Sequence, residues 1–154
     1  MFFSGEYEAT LDAKGRLVLP TKLKAALPPE TGDNIVLMRG FEPCLVLYPH
    51  SEWKKVFDKV AGLNEFNEEF RNFQRNFLRG NTELELDGNG RFIVPKSMMK
   101  FAGIEKDVIL VGIGNRIEIW NPESYENFLI KDQQEFSQMA QKVLGNESGM
   151  KNLE

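Results

Sequence analysis

The sequence predicts an α+β fold built from two tandem repeats in one chain, and three observations predict it. Leu-Asp-Ala-Lys-Gly-Arg-Leu-Val-Leu-Pro at 11–20 recurs as Leu-Asp-Gly-Asn-Gly-Arg-Phe-Ile-Val-Pro at 86–95, an offset of 75 residues. Before each copy, polar and apolar residues alternate, the pattern of a half-buried strand. After each copy, a proline stops the strand and can open a short helix.

The elements follow in order. Residues 6–11 and 82–86 alternate and are expected as strands. Asp-x-x-Gly then turns the chain, because Asp accepts backbone N–H bonds within a turn and Gly takes positive φ. Residues 16–19 and 91–94 return as strands of bulky or β-branched residues, followed by helices over 21–26 and 96–102. Pro28-Pro29 and Gly103 end those helices. Strand pairs are expected at 35–38 with 45–48 and at 108–111 with 116–120, the second joined by a turn over 112–115. Ser51 is expected to cap a helix reaching about Ala61, and Asn121-Pro122 reads as a cap followed by proline at the first helical position. Residues 65–79 place Phe66, Phe70, Phe73 and Phe77 at helical spacing, with Gly80 as the stop.

The similarity extends beyond the turn. Asn34-Ile-Val-Leu matches Asp107-Val-Ile-Leu, Leu45-Val-Leu-Tyr-Pro matches Ile117-Glu-Ile-Trp-Asn, and Trp53 falls over Tyr125. Two copies fit a fused pseudo-dimer better than a solenoid, which needs three or more repeats. The expected domains are a first repeat with helical extension at 1–80, a second repeat with a C-terminal helix at 81–144, and a flexible tail at 145–154. Single halves of this size bury too little surface to stand alone, so they are expected to pack together or oligomerise.

Composition narrows the function. The net charge is −4 and the pI near 5.2, which argues against bulk attraction to nucleic acid. Residues 1–80 balance 11 Lys and Arg against 11 Asp and Glu, whereas 81–154 hold 8 against 12. Any anion-binding surface must therefore be local. Cys44 and His50 are each the single residue of their type, which leaves no intrachain disulfide and no expected metal site. His50, beside Pro49 and Ser51, reads as a turn or helix-entry residue. The start is too short and too quickly acidic for a signal peptide, and no apolar run approaches a membrane helix, so a cytoplasmic protein is expected. Gly112-Ile-Gly lacks the third glycine of a dinucleotide fingerprint, and no Walker, nucleophile-elbow or Cys/His/Asp pattern is present. No enzyme, catalytic residue or cofactor is expected.

The repeated turn is the sharpest candidate site: Asp12, Lys14, Gly15 and Arg16 in one copy, Asp87, Asn89, Gly90 and Arg91 in the other. One reading is structural, with Asp and Gly building the turn and Arg pairing with Asp. The other is that two guanidiniums displayed at hairpin tips enter a DNA major groove, where Arg offers guanine a bidentate fork. In that case Asp12 and Asp87 position the arginines. The residues leave both open. The phenylalanine stripe reads as core or subunit interface, and Arg71, Arg75 and Arg79 as a solvated face.

Several segments together resemble the MraZ family, bacterial regulators associated with the division and cell-wall gene cluster. They are the opening Phe-Ser-Gly-Glu-Tyr-Glu at 3–8, the motif at 11–20, Leu-Val-Leu-Tyr-Pro at 45–49 with Trp53, Phe-Gln-Arg-Asn-Phe-Leu at 73–78, residues 85–95, Ala-Gly-Ile-Glu-Lys-Asp-Val-Ile-Leu-Val-Gly at 102–112 and Arg-Ile-Glu-Ile-Trp at 116–120. The resemblance implies AbrB-like swapped-hairpin β-barrel repeats forming a pseudo-dimer, and a homo-oligomeric ring, as an octamer. It implies a nucleoid-associated repressor of that gene cluster and of its own promoter, binding double-stranded promoter DNA with short repeated boxes. The family's Asp-x-x-x-Arg element maps onto Asp12 and Arg16 and onto Asp87 and Arg91, with Lys14 placed for phosphate. Gly88 and Asn89 depart from the usual basic pattern, so the two copies are expected to contribute unequally. Antitoxins share AbrB-like hairpins, but residues 145–154 are short for a toxin-neutralising tail.

Overall fold

The computed structural model describes residues 2–145. Eight strands and six helices run in the order β1 (Phe3–Thr10), β2 (Arg16–Val18), α1 (Thr21–Ala25), β3 (Asn34–Arg39), β4 (Leu45–Pro49), α2 (His50–Ala61), α3 (Glu68–Leu78), β5 (Thr82–Glu85), β6 (Arg91–Ile93), α4 (Lys96–Ala102), β7 (Asp107–Gly114), β8 (Arg116–Trp120), α5 (Pro122–Phe128) and α6 (Gln133–Gly145). The fold is α+β with two tandem repeats, as the sequence predicts. The chain divides into two compact units after Ser124. All eight strands belong to the first, and α6 belongs to the second. Part of the expected tail, 146–154, lies outside the described residues; Gly145 closes α6.

The repeats are joined by exchanged strands. The six-stranded sheet has the order β1-β7-β8-β4-β3-β5, and β2 pairs with β6 in a separate ribbon. Thus β1 of the first repeat pairs with β7 of the second, and β5 of the second pairs with β3 of the first. The two registers are equivalent: Thr10 lies opposite Asp107, and Glu85 opposite Asn34. The other two contacts are self-paired about a pseudo-two-fold axis. Leu17 faces Phe92 in the ribbon, and Val46 faces Glu118 between β4 and β8. All strand pairings are antiparallel.

One core serves both repeats. Leu17, Leu23, Leu37 and Leu47 from the first repeat pack in the same cluster as their counterparts Phe92, Met98, Leu110 and Ile119. Each such side chain contributes roughly 1.5–3 kcal/mol when fully buried. Sheet and ribbon enclose this cluster, and the ribbon's inner side chains are part of it. On β3 and β4 the opposite face is buried as well, with Val36, Met38 and Val46 beneath α2 and its buried Trp53.

Three local expectations are corrected. Ser51 lies inside the first turn of α2 and is not its cap. Its hydroxyl bonds Thr31 Oγ1 at 2.7 Å, and its N–H donates to that same oxygen at 3.3 Å. Buried Thr31 therefore caps the helix from another segment, a long-range partner that local sequence does not show. The expected turn over 112–115 is shorter, because β7 continues to Gly114. The helix expected from 65 begins at Glu68, because the Asn67 side chain accepts from Phe70 N–H as an N-cap. Phe66 is left in the preceding turn, where its N–H donates to Asn64 Oδ1, and it stands exposed. Phe73 and Phe77 do join an aromatic group, with Phe77 stacked on Trp53 at a centroid distance of 6.2 Å. Asn121 caps α5 as expected, its Oδ1 accepting from the N–H groups of Glu123 and Ser124.

Candidate nucleic-acid interface

Each repeated turn is closed by its own backbone. Asp12 N–H donates to Arg16 O at 2.9 Å, and Gly15 N–H to Asp12 O at 3.0 Å. The second turn repeats this, with Asp87 to Arg91 at 2.9 Å and Gly90 to Asp87 at 2.9 Å. Gly15 and Gly90 have φ of 77° and 74°, a region open to glycine with little cost. These are the conformational reasons for the two glycines.

The aspartates do two jobs. Asp12 Oδ1 accepts from the N–H groups of Lys14 and Arg16, both at 2.9 Å. Its Oδ2 accepts from Arg16 Nε at 2.7 Å. Asp87 does the same with Asn89 N–H, Arg91 N–H and Arg91 Nε, the last at 2.8 Å. Donation by the Arg16 N–H, followed by the guanidinium and the Lys14 N–H, holds the Asp12 carboxyl below its ordinary range. The Arg91 and Asn89 N–H groups, with the guanidinium, do the same for Asp87. Among the described residues, neither arginine uses its terminal Nη groups in a protein hydrogen bond.

The arginines are not at hairpin tips. The strands flanking each turn pair with the other repeat, so Arg16 and Arg91 are the first residues of β2 and β6. Arg16 sits opposite Ile93, and Arg91 opposite Val18. Each turn also holds the other repeat: Leu19 N–H donates to Gly90 O at 2.9 Å, and Val94 N–H to Gly15 O at 3.0 Å. Alternation along the strands sends Leu17 and Phe92 into the core and the other four side chains outward. The outer face of the ribbon is thus Arg16, Val18, Arg91 and Ile93. The two arginines are diagonal neighbours, about 7–8 Å apart at the backbone.

Val18 and Ile93 are not singled out by the sequence, yet they are 50% and 57% exposed on the same ribbon face as the arginines. The signal was present: each lies two residues after its arginine, on the same strand face. Lys14 and Asn89 are exposed on their turns. Arg71 and Arg75 bond locally, to Glu65 O and Asn72 Oδ1.

Among the described residues, no group of three His, Cys, Asp or Glu side chains is arranged to hold a metal. Cys44 is buried, and desolvation, with Glu118 and Glu42 nearby, pushes its thiol up to about 12. His50 opens α2 with Nε2 3.6 Å from Glu83 Oε1, in keeping with a helix-entry role. No described helix is long and apolar enough to cross a membrane.

Comparison with known proteins gives the family. Residues 2–76 and 77–146 each match the family described as "MraZ protein, putative antitoxin-like". A protein from Cytophaga hutchinsonii named Transcriptional regulator MraZ is 58% identical over 143 residues, covering 93% of this chain and 95% of its own. Proteins of the same name from Christiangramia forsetii and Natranaerobius thermophilus are 41% and 37% identical, covering 93% and 92% of this chain and 93% and 96% of their own. The chain belongs to the MraZ family, a family of transcriptional regulators and not of enzymes.

Proposed function

We propose that the chain regulates transcription by laying the outer face of the β2–β6 ribbon in the major groove of promoter DNA. The observation that carries this is the paired clamp: Asp12 and Asp87 hold Arg16 and Arg91 by Nε, leaving the Nη ends free. An arginine held in this way loses less side-chain freedom on binding. Its remaining donors form the end-on fork that fits guanine O6 and N7. The groove admits a two-stranded ribbon, and the diagonal spacing corresponds to about two base steps of 3.4 Å. Val18 and Ile93 then face the base edges beside each fork, with Lys14 toward phosphate and Asn89 making a neutral contact.

One ribbon with two forks binds weakly on its own. A homo-oligomeric ring, as an octamer, presents several ribbons to consecutive boxes, which multiplies avidity by about 10²–10⁴ when box spacing fits. This reconciles a net charge of −4 with DNA binding. Repression of the division and cell-wall gene cluster and of its own promoter, on the nucleoid, completes the proposal.

The test is DNA binding measured beside gel filtration. Arg16→Ala and Arg91→Ala are expected to weaken specific binding within the range of about 5- to 150-fold, from 1–3 kcal/mol per bidentate contact, with Arg16→Ala the more severe and assembly unchanged. Full specific binding by the double variant would overturn the proposal. If the arginines instead serve subunit contacts, assembly is lost with them.

A further inference from the structure

We propose that Lys24, on α1 of the first repeat, crosses the pseudo-two-fold axis to supply the phosphate-binding cation of the second turn. This rests on the DNA-binding role proposed above. The two turns share one backbone, but their own side chains differ in charge. The first carries Lys14, and the equivalent position of the second is Asn89. By that count the second turn lacks a cation beside its arginine.

The fold brings one from the other repeat. A methyl group placed on Gly90 would lie 3.2 Å from Lys24 Cδ and 3.3 Å from its Nζ. The lysine stem is therefore laid against Gly90, whereas the turn's other glycine, Gly88, has nothing within 4 Å. The same construction at Gly15 meets only Val94 O, at 3.9 Å. Met99 occupies the position equivalent to Lys24, so the first turn receives no cation in this way. The second turn thus gains a lysine from the other repeat, where the first has Lys14 of its own and Lys96 and Lys100 border the cavity beside it.

Lys24 is also available. It is exposed, and it makes no ion pair among the described residues. Packing the methylene stem on Gly90 while the ammonium stays in water restricts the long side chain in advance of binding. The acceptor is a DNA phosphate, since phosphate and sugar take about half to two-thirds of protein–DNA hydrogen bonds and a lysine is a point charge lacking arginine's planar fork.

The experiment measures affinity against salt for the full chain and a duplex selected by the wild-type protein from a random-sequence library. Lys24→Met is expected to lower the log–log salt slope by about 0.9 for each ribbon engaged, the change for one phosphate contact, and to leave sequence preference intact. Adding Asn89→Lys to Lys24→Met should restore the slope. Lys22→Met, another exposed lysine on α1, is the comparison and should have the smaller effect. An unchanged slope in Lys24→Met, an equal loss in Lys22→Met or no rescue by Asn89→Lys would each overturn the proposal. Arg16→Ala with Arg91→Ala separates the two levels. If that double variant keeps specific binding, the ribbon reading fails and this proposal with it; if it loses binding while Lys24→Met is silent, only this proposal fails.

Discussion

Asp12 and Asp87 are acidic residues at the centre of a proposed DNA interface, and their geometry explains the choice. A neutral amide can accept from the backbone N–H groups as the carboxylate does, but its nitrogen cannot accept from Arg Nε. Asp12→Asn is therefore expected to keep the turn while releasing Arg16. Removing a negative charge should raise affinity for non-cognate DNA, and loss of positioning should lower sequence preference. Their ratio, measured on selected and scrambled duplexes, checks this; a preserved ratio would show that the clamp does not position the fork. Both carboxyls are held below their ordinary value of 3.8. Their bonds are therefore fully present above that value and lost as pH falls through the depressed one. A carboxyl NMR titration should place both midpoints below 3.8, with the Lys14, Arg16, Asn89 and Arg91 amides shifting together. The turn itself was legible from Asp and Gly spacing. Which guanidinium nitrogen the carboxylate takes was not, because the rotamer depends on the strand that follows.

At the scale of elements, β1 and β7 show why Gly112 lies within a strand and not in the expected turn. Two glycines between apolar residues read as a hairpin loop, yet Gly112 lies within β7 opposite Gly5. A Cβ on Gly112 would stand 2.7 Å from Phe3 C and closer still to Ser4 N. The glycine marks a close backbone approach and not a bend. Gly112→Ala should therefore destabilise the protein by about 1–3 kcal/mol, the usual cost of overpacking, read as a lower urea midpoint with unchanged slope. Wild-type stability in this variant would show that β1 can withdraw freely. The partner that makes Gly112 necessary is more than 100 residues away in sequence, which is why periodicity alone placed it in a loop.

For the whole molecule, exchange of β1 and β5 means that neither repeat holds a complete sheet or a complete core. Residues 1–80 alone would leave β1 without β7, and β2 without β6. We expect fragments 1–80 and 81–154 each to yield no folded monomer by circular dichroism and gel filtration, and to regain structure when mixed. A stable monomer of either fragment would contradict a shared core. The same exchange places Arg16 beside Ile93 and Lys24 over Gly90, so the interface as well as the core is assembled from both repeats.

The sequence by itself determined the repeat, the α+β order of elements, the turn-forming residues and the arginines. These depend on local rules: side-chain alternation, the conformational range of glycine and proline, and hydrogen bonds within five residues. The tertiary structure decided what those rules cannot reach. It determined that the strands beside each turn pair across repeats, that the arginines lie on a ribbon face with Val18 and Ile93, and that Thr31 caps α2. The physical reason is common to all three. Each depends on a partner distant in the chain, chosen by burial of one shared core and not by any local propensity.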